Sequence, residues 1–203
     1  MDYIINLLQG SFVFICIILF HDYIKTKTTM LLGDDSALFD ERDTFSVFRS
    51  FDLIGLFICF SFGFLFGWSR TFPVDMNHFY NKKTGVILLL LSGIGSLFFL
   101  LFVSLLFLKY ELYAPMDWYF VRLAMMSASF ILFQFFPLPQ SDAWLLYNEY
   151  MPSSLKESWL AFSEHSALYF FVFLIIDTHI IGIFLNMYSI FLSLFVSIFY
   201  SLT

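Results

Sequence analysis

The sequence predicts an all-α fold: a polytopic integral membrane bundle of five or six transmembrane helices, forming one membrane-embedded domain over residues 1–203. Three observations predict it. Hydrophobic residues make up 60% of the chain and charged residues only 13%, roughly half the charged share of a soluble domain. Mean hydropathy is +0.83, carried by several apolar runs long enough to cross a hydrocarbon core of about 30 Å. Lipid offers the backbone no hydrogen-bond partners, so each such run must satisfy its own N–H and C=O groups as a helix.

The first run, "MDYIINLLQGSFVFICIILF", predicts a span at about 4–21. It opens with Asp2 and has no basic n-region, so it reads as a retained span and not as a cleaved signal peptide. Further spans are expected at about 52–69, 86–108, 118–136 and 167–186. A last apolar helix at about 187–202 makes a hairpin with a turn near Asn186. In "FFPLPQSDAW", Pro137 and Pro139 end the fourth helix and force an extended segment, because each lacks an N–H and restricts its predecessor. Non-helical backbone at that depth must be covered by protein, which makes this segment a candidate site wall. Lys25, Lys27, Arg42 and Arg49 fall in one loop and Arg70, Lys82 and Lys83 in the next, on the opposite side, so they set no orientation.

The formal charge of −6 gathers in solvated loops such as "GDDSALFDERD", and no basic stripe is present to recruit nucleic acid. Cys16 and Cys59 lie in separate apolar runs and read as small core residues, without a disulfide framework.

Three polar stretches interrupt this pattern: "HDYIK" at the end of the first span, "GWSRTFPVDMNHFYNKKTG" after the second and "FFPLPQSDAW" after the fourth. His21 and Lys25 stand four apart and share a helix face. In order and spacing these stretches resemble the site-2 protease family of intramembrane zinc metalloproteases, in its compact prokaryotic form. That family carries HExxH in a transmembrane helix, a Gly-Asp pair, an Asp-Pro-x-Gly segment, a Gly-Trp-x-Lys-Pro-x-Pro-Val loop, an Ala-Gly-Pro helix and an Asn-x-x-Pro-x-Pro-x-x-Asp-Gly turn. Here His21 falls on the first histidine, and Gly33 and Asp34 on the Gly-Asp pair. Asp52 and Gly55 then fall on the Asp-Pro-x-Gly positions, and Gly67, Trp68, Pro73, Val74, Phe79 and Asn81 track the loop. Gly93 matches the Ala-Gly-Pro glycine, and Pro137, Pro139 and Asp142 match the final turn.

The resemblance implies that His21 and Asp142 stand at zinc-ligand positions and that Asp22 replaces the glutamate general base. Lys25 replaces the second histidine. Catalytic zinc takes three protein ligands that each donate a lone pair, whereas an ammonium has three donors, no lone pair and a charge that repels the cation. Asp22 is one methylene shorter than glutamate and sits about 1.5 Å back from the water, a misplacement that costs about a hundredfold in rate. Gln134, Ile94, Leu97 and Ala143 also stand where the family has asparagine, proline, asparagine and glycine.

The expected consequence is that the Lys25 ammonium fills the metal's place and pairs with Asp142 and with Asp22, since an intramembrane charge needs a partner. The alternative readings stay open at this level. Lys25 snorkels to the interface beside Lys27, His21 is a hydrogen-bonded interface residue, and Asp142 caps the helix "AWLLYNEY". His78 falls in a loop and His165 after a polar segment. Asp177 and His179, in "IIDTHII", are two residues apart and diverge by about 200° on a helix, so they cannot face one metal. They mark either a polar, proton-responsive contact inside the bundle or the turn of the terminal hairpin.

The first functional expectation is a site-2-protease-like protein without catalysis or cofactor, which binds or scaffolds transmembrane helices of other membrane proteins within the lipid bilayer. In it, the loop from Trp68 to Phe79 is a membrane-surface or substrate-contacting element, with aromatics at interface depth. A second reading is an active zinc metalloprotease with altered ligands. A third is a small transporter or channel subunit with Lys25, Asp142, Asp177 and His179 along a polar path. The compact pattern points to a bacterial plasma membrane.

Overall fold

The computed structural model describes residues 2–41, 47–63 and 67–202. Among the described residues there is no strand, and five helical stretches are long and apolar enough to cross a membrane: Ile4–Leu32, Lys82–Lys109, Ala114–Phe133, Ser153–Ile181 and Ile183–Ser201. The chain is therefore an all-α, multi-pass integral membrane bundle.

Helix α1 (Asp2–Leu32) runs well past residue 21, where the apolar pattern stops. Between residues 21 and 32 it meets no glycine or proline, and the Thr26 and Thr29 hydroxyls donate to the carbonyls of Asp22 and Thr26, so these polar turns are satisfied within the helix. Gly33, at φ +104°, ends it in a conformation that side chains avoid.

The span expected over 52–69, of which residues 64–66 lie outside the described residues, is not formed as one helix: the helix there ends at Ser61 and the chain turns at Gly63. After two single-turn helices, α2 (Ser36–Phe39) and α3 (Val47–Ser50), helix α4 (Leu53–Ser61) has nine residues and rises only about 13 Å. The chain then comes back. Gly67 packs against Phe14 and Cys59, the Arg70 N–H donates to the Ser50 carbonyl at 2.9 Å, and the Tyr80 N–H donates to the Leu32 carbonyl at 2.9 Å. The described residues between 33 and 80 thus reach into the bundle at Gly67 and are back beside Leu32 at Tyr80, the end they left. Of the two basic groups expected on opposite sides, Lys27 and the pair Lys82 and Lys83 lie at the same end, while Arg42 lies outside the described residues. Apolarity could not separate a crossing from a re-entrant dip, because α4 is greasy on both faces: Ile58 and Cys59 pack inward while Leu53, Ile54 and Phe57 face out.

Helix α5 (Lys82–Lys109) is capped by Asn81, whose side chain accepts from the Thr84 N–H, and packs along α6 (Asp117–Phe133) and α1. These three helices form the core, with Phe14 and Ile17, Leu97 and Leu101, and Met126 and Phe130 buried between them. Small residues at the seams, among them Gly93, Ser96, Ala124 and Ala128, let the backbones approach closely.

Helix α6 stops at Phe133, three residues before its expected end. Residues 134–142 do not extend; they coil into consecutive turns, with the Leu138 N–H on the Phe136 carbonyl and the Ser141 N–H on the Leu138 carbonyl. Short helix α7 (Ala143–Tyr150) follows, then α8 (Lys156–Ile176), a π-helical turn over Asp177–Ile181, and α9 (Ile183–Leu202). The reversal comes at Gly182, φ +68°, and not near Asn186. Beyond that corner α8 and α9 barely touch. Instead α9 packs against α6 and lays its rings on α5, pairing Phe191 with Phe98 and Phe199 with Phe102.

Candidate functional site

The end of α1 carries a stripe of polar side chains turned into the protein. His21, Asp22, Lys25, Thr26 and Thr29 are all buried. Lys25 is 4% exposed, so it does not snorkel; α1 continues past it and encloses its ammonium within the bundle. An enclosed ammonium at this depth requires an anion.

The 134–142 turns supply it. Gln134, the first residue after α6, accepts the Ala143 N–H on its backbone carbonyl (3.1 Å) and the Asp142 N–H on its side-chain oxygen (2.9 Å). This double clasp sets Asp142 facing α1. Although Asp142 precedes α7, its side chain makes no capping bond there. One carboxylate oxygen, Oδ1, receives Lys25 Nζ at 2.5 Å; the other, Oδ2, receives His21 Nε2 at 2.9 Å. A carboxylate only accepts, so Nε2 carries the proton and Nδ1 is left facing Asp22 Oδ1 at 3.6 Å. The Phe72 ring lies 4.4 Å from the ammonium and covers it with an aromatic face. Gly93 closes the opposite side: a Cβ there would collide with Asp142 Oδ2 and crowd His21 Nε2.

Around this centre, other positions that carry the sequence resemblance also meet. Asp52 caps α4 through the Ile54 N–H and accepts the indole N–H of Trp68 at 2.9 Å. Gly55 leaves room for the Trp68 backbone carbonyl. Trp68 is buried and stacked on Phe133, and Phe79 is buried against Val86 and Leu89, so neither is an interface aromatic. Trp68 also walls a small cavity shared with His21, Gln134 and Gln140, with about 10 Å³ of free space, on the order of one water.

Asp34 forms a separate clasp at the end of α1. It accepts from the Ser36 hydroxyl and N–H and from the Asp75 N–H, and it faces His78 Nδ1 at 3.4 Å. Burial pushes its carboxyl up, but these donors together outweigh burial and hold it below the ordinary value of 3.8.

Asp177 and His179 do not join the centre. Asp177 is buried at the corner, where both carboxylate oxygens lie 3.1 Å from the Phe184 N–H and its carbonyl accepts the Gly182 N–H. His179 is exposed and bonds its own helix through the Ile175 carbonyl and Thr178. His165 is exposed against Tyr169. Cys16 and Cys59 are free thiols, Cys59 buried.

His21, Asp22, Lys25 and Asp142 are brought together, and the donor chemistry there does not suit a catalytic zinc. Both Asp142 oxygens are engaged by protein groups, and Lys25, at the position of the second histidine, has no lone pair to donate. Sequence reasoning named Gln134 only as a departure from a pattern and missed its clasp on Asp142. It missed Phe72 altogether, because an aromatic in an aromatic-rich chain carries no signal of the charge it covers.

No family model matches the chain, and neither a curated protein nor a solved structure does.

Proposed function

We propose that this chain is a site-2-protease-like membrane protein without hydrolytic chemistry, which binds or scaffolds transmembrane helices of other membrane proteins, in a bacterial plasma membrane. One observation carries the reading: the Lys25 ammonium lies 2.5 Å from Asp142, with His21 on the other carboxylate oxygen, where the resemblance would put zinc. A fixed positive charge there takes over the cation's structural part, holding α1 to the turn after α6. It supplies no Lewis acid and no activated water. The meeting of Asp52, Gly55, Gly67 and Trp68, and the closeness of Gly93 to Asp142, support the same reading, since residues scattered along the chain gather around one centre.

Metal analysis combined with substitution tests it. Protein purified in detergent and washed free of loose ions should hold almost no zinc, and a photo-crosslinker on the bundle's lipid-facing surface should capture single-span proteins intact. Lys25→His, which restores a lone pair, should raise zinc retention. Tightly held zinc in the unaltered chain, with peptide cleavage that disappears in His21→Ala, would overturn the proposal in favour of an active metalloprotease. The polar-path reading gains nothing from the geometry, because Asp177 is bound to the backbone of its own corner and His179 points outward.

A further inference from the structure

A second polar feature lies away from Asp142, where the N-terminal ends of α5 and α8 line one cavity with the end of α7. A cavity of about 290 Å³ there is lined by Lys82, Asn148, Glu149, Lys156 and Trp159. Lys82 is held by Glu149 at 2.8 Å, and the Trp159 indole donates to Asn148 Oδ1. Among the described residues no acid lies within ion-pair reach of Lys156, so the cavity carries an unneutralised positive charge. Lys82 and Lys156 open two membrane-crossing helices, which puts the cavity at headgroup level.

Below it the lining changes character. An apolar groove of about 480 Å³ adjoins the cavity, sharing Met151 and continuing over Ile87, Leu146 and Tyr150. Ile87 lies five residues further along α5 than Lys82, about 7.5 Å deeper into the bilayer. A charged cavity at the surface that opens into a greasy groove beneath it has the amphipathic profile of one lipid, with its phosphate above and its chain below.

The choice of an anionic lipid follows from charge. Because the Tyr80 N–H reaches the Leu32 carbonyl, Lys27, Lys82, Lys83 and Lys156 lie at this end, against Lys109 and Arg122 at the other. A basic excess of this kind marks the cytoplasmic face, and the cytoplasmic leaflet attracts basic segments through its anionic lipids. We infer that the cavity and groove between α5, α7 and α8 form a binding site for an anionic phospholipid, with the phosphate on Lys156 and Lys82 and an acyl chain along Ile87 and Leu146.

Native mass spectrometry of the full chain, released from vesicles containing both phosphatidylglycerol and phosphatidylcholine, tests this. Phosphatidylglycerol should remain bound in preference to phosphatidylcholine. Lys156→Glu, at an exposed position, should weaken its retention roughly tenfold. Ile87→Trp, which fills the groove and leaves the charges alone, should also release it. Equal retention of the two lipids, or retention unchanged in both variants, overturns the inference. Displacement by inorganic phosphate alone also overturns it, because the site would then recognise a free anion and not a lipid.

Discussion

Two buried aspartates stand at the ends of this chain's logic. Asp142 is met by side chains from a distant helix, Lys25 and His21. Asp177 is met by the backbone N–H of Phe184, seven residues away. Both are nearly inaccessible, and both would be costly without partners. The difference lies in what each ties together. Asp177 closes a local corner and would do so wherever that corner sat. Asp142 joins two segments more than a hundred residues apart and brings a full positive charge into the bundle, so it exists only when the tertiary structure does.

The sharpest way to break the contrast is Asp142→Ala. It strands the Lys25 ammonium, and unfolding in detergent should show a loss of about 3–5 kcal/mol. Lys25→Ala should cost a similar amount, and the double variant clearly less than the sum, with a coupling of about 1–3 kcal/mol. Additive effects would mean that the two residues act independently. Next in size is Gly93→Ala, whose methyl displaces the Asp142 carboxylate and should cost about 1–3 kcal/mol by the same measurement.

At Asp177 the expected losses are smaller, and they depend on geometry more than on charge. Asp177→Ala orphans the Phe184 N–H and should cost about 1–2 kcal/mol, while Asp177→Asn keeps an acceptor oxygen and should be close to neutral. Asp142→Asn, which discards the charge that faces Lys25, should not be neutral. Equal tolerance of asparagine at both sites would erase the distinction.

The smallest effect belongs to Asp34, a third carboxylate held mainly by hydroxyl and backbone donors at the end of α1. Its folded pKa lies below the ordinary value of 3.8. Its stabilising contribution is therefore complete above that value and drains away as pH falls through the lower, folded one. Unfolding measured across that acidic window should show this slope in the unaltered chain, and Asp34→Asn should flatten it.

Much of the bundle was legible from composition, because a run of apolar residues in lipid has only the helix open to it. The helices from 82 to 133 fell within a few residues of expectation for that reason. The centre was legible in part. His21 and Lys25 announced themselves as polar residues on a greasy helix, and Asp142 by standing after two prolines. Asp34, Gly55 and Gly93 entered only through their place in a pattern. Sequence spacing carried no sign of the contacts they make: Asp34 on the 75–78 turn, Gly55 beneath Trp68, Gly93 against Asp142.

What the amino-acid order determined alone was local: helices where apolar runs are long and a break at Pro137 and Pro139. Tertiary structure decided everything that required comparing distant segments. It ended α4 at Ser61 short of a crossing, carried α1 past Lys25 so that the amine was enclosed, and put the reversal at Gly182. The physical reason is that hydropathy measures a residue's preference for leaving water and is silent about which neighbour receives it; only the folded chain supplies that neighbour.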